Sequence, residues 1–463
     1  MHRLLYSTLL LSSVLTANTA VPSVGSDLKI TIYNSNMAFI NDTRSVAVQK
    51  GKQKLVYEGV PSAVITQSVV PTFEGMMTNL YSQNYIYDLI SLNSMLAKSI
   101  DKEVSFFSNG DNPTLNTGTL LSVSPYVMVQ ENDTGKIFTL NSGTQVIFSK
   151  IPSNMITKPS LVWNIETEKS GNLGIDLKYL TRGISWKSDY VLNLTKEDLD
   201  LTGWITVINN SGVAYENAQI TCLAGDVNRV RKRVNYGRRT KQKAMPMMME
   251  AVADVAEESF SGYHIYKIPF RETIANKQQK QISFIDKKSV KYHQYGIHTN
   301  SYFENYGKQK LIFSNKIEFK NTKENHMGIA LPAGVVRMYQ KDSKAQTHFI
   351  GESRIQNIPE DEKVKLTVGT LFDAVGEKTV KKYIAKRHYR NVVTSYNVRN
   401  QGKEPLELRI EEHIPVYGEH IKVKSSCDKQ CSVSKKSAFV RTFTIKLAPK
   451  EKYVFTSEFE VNY

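Results

Sequence analysis

A mainly β, multi-domain fold is what this 463-residue sequence predicts, and three observations predict it. Apolar residues recur with period two along most of the chain, the pattern of half-buried strands. Gly, Pro, Asn and Asp interrupt those runs at short intervals, as turns require. The composition, with 24 tyrosines, only 14 prolines and abundant Thr, Ser and Val, leans the same way. A chain of this length has room for about three domains, each with its own core.

The first twenty residues read as a signal peptide. Met1 to Ala20 has a short basic start at His2 and Arg3, an apolar run from Leu4 to Val14 and small residues up to Ala20. The run is too short to span a bilayer, so removal near Ala20 is expected. No later stretch has transmembrane length. From Asp27, Leu28, Ile30 and Ile32 alternate with polar residues, and alternation returns at Ser45 to Val48, Lys54 to Tyr57 and Thr78 to Tyr87. Asp88 offers an N-cap, and Leu89, Leu92, Leu96 and Ile100, with Met95 beside them, recur at helical spacing. Residues 21–100 are therefore expected to be an N-terminal β domain ending in one short helix.

Short strand candidates follow at Val104 to Phe107, Thr117 to Ser122, Tyr126 to Gln130, Ile137 to Leu140 and Gln145 to Phe148. Such a set closes most economically as a small SH3-like barrel, over 101–152, because closure removes exposed edges. Merger into the preceding sheet is the alternative. Long strands begin after Pro152, and two immunoglobulin-like β-sandwich domains are expected, at 153–385 and 386–463. Between Trp163 and Trp204 lie all three tryptophans; Trp163, Trp186 and Trp204, with Tyr179, are the expected structural core where sheets meet. The hairpin around Asn209 to Gly212 has a related unit around Asn400 to Gly402. Within the first sandwich, 229–260 breaks the pattern and reads as a mobile insertion.

Three cysteines are few. Cys222 alternates with Ala218 and Ile220, as a buried, inert thiol would. Cys427 and Cys431 can close a small disulfide loop in an oxidising compartment or remain two exposed thiols. A net charge of +16 ordinarily points to nucleic acid, which export argues against. The insertion concentrates the charge at Arg229, Arg231, Lys232, Arg233, Arg238 and Arg239, a candidate contact for an acidic glycan or an anionic surface. Met245, Met247, Met248 and Met249 offer thioethers that suit Cu(I) but equally a flexible apolar strip.

Catalytic patterns are missing from the sequence. Ser185 lacks the second glycine of a nucleophile elbow, and Ser432 with Lys435 lies on no helical pattern. The acidic pairs Glu166 with Glu168 and Asp198 with Asp200 suit glycoside cleavage only if the fold sets two carboxylates across a cleft. His413 and His420, with Glu411, Glu412 and Glu419, form the densest metal-capable group, which a solvated strand edge explains as well.

Tyr179 to Tyr190, Asp200 to Trp204, Asn209-Asn210-Ser211-Gly212, Ala224 to Asn228, Leu331-Pro332-Ala333-Gly334 and Phe349-Ile350-Gly351-Glu352 together carry a family resemblance. The sequence resembles the mucoidy-inhibitor-A-like group, exported bacterial domains of unknown function. The resemblance implies an exported β protein and assigns no catalytic residue and no cofactor. The expected function is thus a non-catalytic envelope or cell-surface module, periplasmic or at the cell surface, that binds a glycan or a protein. A secreted hydrolase of polysaccharide or peptide and a metal-handling protein are the alternatives.

Overall fold

The computed structural model describes residues 18–22, 27–107, 114–140, 145–152, 155–225, 256–260, 263–301, 303, 307–414 and 420–462. Strand occupies 69% and helix 3% of it, so the chain is mainly β as its alternation requires. The expected signal segment before Asn18, and Arg229, Arg231, Lys232, Arg233, Arg238, Arg239 and the methionines of the insertion, lie outside the described residues. The end of that insertion is not irregular: Ala256–Phe260 is a strand, next to Tyr263–Ile274 in its sheet.

The chain divides into two units. One holds residues up to Ser185 with 208–225 and 267–280; the other holds 186–207, 256–260, 263–266 and 281–462.

In the first unit, Asn18–Val21, Gly51–Glu58, Ser160–Thr167 and Thr78–Ile86 form a four-stranded sheet in that order. A second sheet runs Tyr215–Ala224, Asp27–Tyr33, Met37–Val48, Gly171–Arg182 and Val70–Glu74, extended beyond Tyr215–Ala224 by residues 267–274. Trp163 joins the two layers. Its ring lies 5.3 Å from that of Tyr57 in its own sheet and 5.9 Å, edge-on, from Phe73 of the other. Its Nε1 donates to Gln83 Oε1 at 2.7 Å, so the indole is fully buried without leaving its N–H unpaired.

The inward face of Met37–Val48 reads Ile40, Asp42, Arg44, Val46, and the two charges are buried with the apolar residues. Arg44 donates from Nε and Nη2 to Asp42 Oδ2 at 3.0 and 2.7 Å, and from Nη1 to the Pro22 and Glu58 carbonyls, each at 2.9 Å. The guanidinium lies 3.9 Å from the Tyr57 ring centroid, and the Tyr57 hydroxyl donates to Asp42 Oδ2 at 2.7 Å. The Tyr57 phenol is pushed far up, first by burial and then by the Asp42 charge. Such a pair is tolerated because every guanidinium nitrogen has a partner.

The five short strands form one sheet, ordered Ile137–Leu140, Val127–Glu131, Leu115–Ser122, Glu103–Phe107, Val146–Ile147. The expected barrel is not closed. Val146–Ile147 is two residues long and pairs with Glu103–Phe107, and Ile137–Leu140 stays an outer strand with three exposed side chains. The concave face is filled instead by Leu96 of the helix, packed on Val104, Phe106, Leu120 and Val129. That helix, Leu92–Ala97, is capped by Ser91, whose hydroxyl accepts from Ser94 N at 3.1 Å. The sequence nominated Asp88, but its carboxylate pairs with Lys98.

A long sheet, most of whose residues belong to the second unit, runs Thr347–Ile355, Gly334–Lys341, Ile184–Leu194, Asp198–Asn209, Gln278–Asn300, Leu406–His413, Val440–Leu447, Cys431–Ser437, with an antiparallel pair at each end. A five-stranded sheet, Lys308–Leu311, Ala374–Lys386, Tyr389–Asn400, Lys452–Asn462, His420–Ser425, packs against its latter half. Phe313, Tyr396, Val398, Leu408, Phe443 and Phe455 fill the space between. Ala374–Lys386 and Tyr389–Asn400 pair along their length, so this sandwich gathers strands from both sides of residue 386.

Several junctions are parallel, among them Tyr215–Ala224 on Asp27–Tyr33, Ile184–Leu194 on Gly334–Lys341 and Gln278–Asn300 on Leu406–His413. Period-two patterning cannot distinguish these from antiparallel partners, because a side chain's face depends on the pleat and not on its neighbour's direction.

Trp163, Tyr179 and Trp186 are buried, but Trp204 is only half-buried. On Asp198–Asn209 the inward register falls to Leu201, Gly203 and Ile205, which turns Trp204 to the other face. Trp163 belongs to the first unit and Trp186 and Trp204 to the second.

The signature turns are structural. Gly183 has φ +83°, and a Cβ there would come within 2.8 Å of Asn210 O and Ser211 Cα, so only glycine fits. Asn209 is buried; its Nδ2 donates to Val213 O and Ala275 O, and its Oδ1 accepts from Ser211 N. Asn400 repeats that role, donating to Glu404 O and Ala448 O and accepting from Gly402 N.

Two substitutions test this core. Trp163→Ala should cost about 3–5 kcal/mol of stability by leaving a cavity between the sheets. Arg44→Met should cost a similar ~3–5 kcal/mol, because it strands the buried Asp42 carboxylate. Urea unfolding of each variant against the parent chain measures both.

Candidate functional site

Because the Ser160–Thr167 strand sends Leu161, Trp163 and Ile165 into the core, it turns Val162, Asn164 and Glu166 outward. Register then fixes their neighbours. Asn164 lies between Lys54 and Ser82, and Val162 between Val56 and Asn84. The chain leaving Thr78–Ile86 turns back beside this face and is held there by Ile156 N donating to Asp88 O and Ile90 N donating to Ile156 O. Sheet and returning segment enclose a groove of about 840 Å³ lined by Lys54, Asn84, Tyr87, Asp88, Ser91 and Asn164, among others. That size suits a small ligand or a few units of a polymer.

Its chemistry is polar with an aromatic rim. The Tyr85 and Tyr87 rings stack with centroids 5.5 Å apart. Tyr85 is anchored by its hydroxyl, which donates to Pro61 O at 3.2 Å, and burial pushes its phenol up. Tyr87 remains 70% exposed and so presents its ring to solvent. Asn164 Nδ2 donates to Ser82 Oγ at 2.6 Å. The Lys54 and Asn84 side chains carry no hydrogen bond or ion pair among the described residues. Beyond the groove Tyr81 donates to Glu166 and lies under Lys52, whose Nζ is 5.5 Å from the ring centroid.

The lining holds no nucleophile beside a base. Its lining carboxylate, Asp88, is ion-paired to Lys98, and the Ser91 hydroxyl lies 2.8 Å from Ser94 Oγ. The acidic pairs noted in the sequence do not converge either. Glu168 accepts from Met77 N, and Asp198 from Thr195, while Asp200 accepts from Ser289 N. Among the described residues no cluster of His, Cys, Asp and Glu could hold a metal ion. Glu411 pairs with His413 and Lys436 on one face of Leu406–His413, whereas Glu412 points into the core on the other. Cys222 is a buried free thiol, pushed up by burial. Cys427 and Cys431 are joined by a disulfide with Cα atoms 5.0 Å apart.

The motif residues around Gly183, Asn209 and Asn400 thus build turns, and all three lie within the stretch matched by a family model. The model of a domain of unknown function, DUF4139, matches residues 175–463, well over half of the chain. The chain belongs to the DUF4139 family. No curated protein matches it. The groove lies before the DUF4139 region, while the disulfide and the sandwich of the second unit lie within it.

The disulfide closes only a five-residue loop, and chain-entropy arguments give such a loop about 2 kcal/mol. Replacing both Cys427 and Cys431 with Ser should therefore lower stability by no more than ~2 kcal/mol and leave the fold intact, as denaturant midpoints and circular dichroism would show.

Proposed function

We propose that the protein is an exported, non-catalytic module of the cell envelope that binds a glycan chain in the groove beside Tyr87, Lys54 and Asn164. The observation that carries this reading is the pairing of a solvent-facing aromatic stack with uncommitted polar side chains on a rigid sheet. A pyranose offers an apolar face and a rim of hydroxyls, and Tyr87 supplies a flat apolar contact while Lys54, Asn84 and Asn164 supply donors and acceptors. The cation at Lys54 favours a polymer that carries carboxylates over a neutral one.

Export is supported by the signal-like anatomy of the first twenty residues and by the Cys427–Cys431 disulfide, a bond at home outside the reducing cytosol. Within the DUF4139 family, the motif residues from Tyr179 to Trp204 support placement in the mucoidy-inhibitor-A-like group.

Isothermal titration with uronic-acid oligosaccharides and, in parallel, neutral gluco-oligosaccharides tests the reading. Saturable binding is expected, tighter for the acidic series. Tyr87→Ala and Lys54→Ala should each weaken it about tenfold, the equivalent of ~1.4 kcal/mol. Absence of saturation with either series, or variants that bind as the parent does, would refute the assignment. Release of new reducing ends would show a hydrolase instead.

A further inference from the structure

The sandwich of the second unit carries a buried polar chain that the groove does not use. Lys378 and Glu412 are 5% and 1% exposed, in a core otherwise made of apolar and aromatic side chains. Lysine and glutamate are almost never buried this deeply unless they are paired. Register brings four residues together from two facing sheets. Asn300, the last residue of Gln278–Asn300, is the parallel neighbour of Glu412 in one sheet. Lys378 is the antiparallel neighbour of Tyr396 in the other.

Across the interface Lys378 Nζ donates to Asn300 Oδ1, which sets the amine against the carboxamide. Asn300 Nδ2 donates to the Tyr396 hydroxyl at 2.7 Å. That hydroxyl donates to Glu412 Oε1, and Glu412 Oε2 accepts from Ser457 Oγ at 2.7 Å. The Tyr396 ring is itself clamped between Phe455 at 5.0 Å and Phe443 at 6.5 Å.

We propose that Lys378 and Asn300 are the two ends of an intramolecular isopeptide bond that this core forms by itself, stapling the two sheets of the sandwich. The amine lone pair of Nζ attacks Cγ of Asn300. The Nζ–Cγ bond forms, the Cγ–Nδ2 bond breaks, and Nδ2 leaves as ammonia. At rest Nδ2 donates to the Tyr396 hydroxyl and that hydroxyl to Glu412 Oε1. Once the tetrahedral adduct frees the Nδ2 lone pair, both hydrogen bonds reverse. A protonated Glu412 then passes its proton through Tyr396 to the leaving nitrogen, and the proton shed by Nζ makes up the one the carboxyl gives. No oxidant, metal or second substrate enters.

The surroundings favour both protonation states the step uses. Burial pulls the Lys378 ammonium down towards the free amine and pushes the Glu412 carboxyl up towards the acid. A lysine desolvated in an apolar site is an activated nucleophile. Holding amine and amide in contact replaces a slow bimolecular aminolysis with a step inside one molecule. Tyr396 is the catalytic residue, since its hydroxyl touches the leaving nitrogen, and Glu412 acts through it.

Protease digestion and mass spectrometry of the purified full-length chain test the proposal. One branched peptide joining the segments of Lys378 and Asn300 is expected, lighter by one ammonia than its two linear parts. Lys378→Met should abolish it. Glu412→Gln and Tyr396→Phe should leave linear peptides in chains whose circular dichroism matches the parent, and Glu412→Asp should restore part of the branching. Linear, unmodified Lys378 and Asn300 peptides from the parent chain would overturn the bond, and this measurement holds whether or not any variant folds. Undiminished branching in Glu412→Gln would overturn the relay.

Discussion

In the first unit, everything downstream hangs on the pleat of one strand. Ser160–Thr167 buries Leu161, Trp163 and Ile165 between two sheets, and the same alternation leaves Val162 and Asn164 as the floor of a groove. A one-residue slip would expose the indole and bury an amide at once, so the register is held from both sides by apolar burial. Gly51–Glu58 and Thr78–Ile86 flank the strand with matched partners, which is why Lys54 and Asn84 arrive at fixed positions over the floor. A binding face on a sheet inherits the rigidity of the core beneath it.

Both units place charges inside apolar layers, but they do so differently. Asp42 and Arg44 lie on one face of one strand and pair directly through Asp42 Oδ2, with two carbonyls and Tyr57 as further partners. That arrangement holds a carboxylate, a guanidinium, two backbone carbonyls and a phenol, with no electrophile set against a nucleophile, and Asp42 Oδ1 has no hydrogen-bond partner among the described residues. Lys378 and Glu412 sit on opposite sheets and are linked through Asn300 and Tyr396. The intervening groups are an electrophilic amide and a proton-carrying hydroxyl, so the same cost of burial yields a chemically poised chain instead of an inert pair.

The recurrent buried asparagines show how a family signature can describe architecture without describing activity. Asn209 and Asn400 each use both ends of the amide to tie four backbone groups, two of the turn and two of a neighbouring segment. Gly183 is required by a left-handed backbone pressed against Asn210 and Ser211. These positions shape hairpins, and the DUF4139 match covers them while leaving out the groove.

By itself the sequence determined what depends on neighbours along the chain. Period-two runs gave the strands, turn residues gave the hairpins, and the spacing of Leu89, Leu92, Leu96 and Ile100 gave the one α-helix among the described residues, Leu92–Ala97, although Ser91 and not Asp88 caps it. Continuing the alternation from Ile40 to Val48 would also have placed Asp42 and Arg44 on the buried face, a signal the apolar pattern hides. Only tertiary structure decided the rest, because strand pairing is a choice among distant partners that local pattern does not encode. That choice left the small sheet open, split the tryptophans between units, and turned Trp204 outward. It also set Lys378 against Asn300, residues that share nothing in the sequence but whose strands the fold lays face to face.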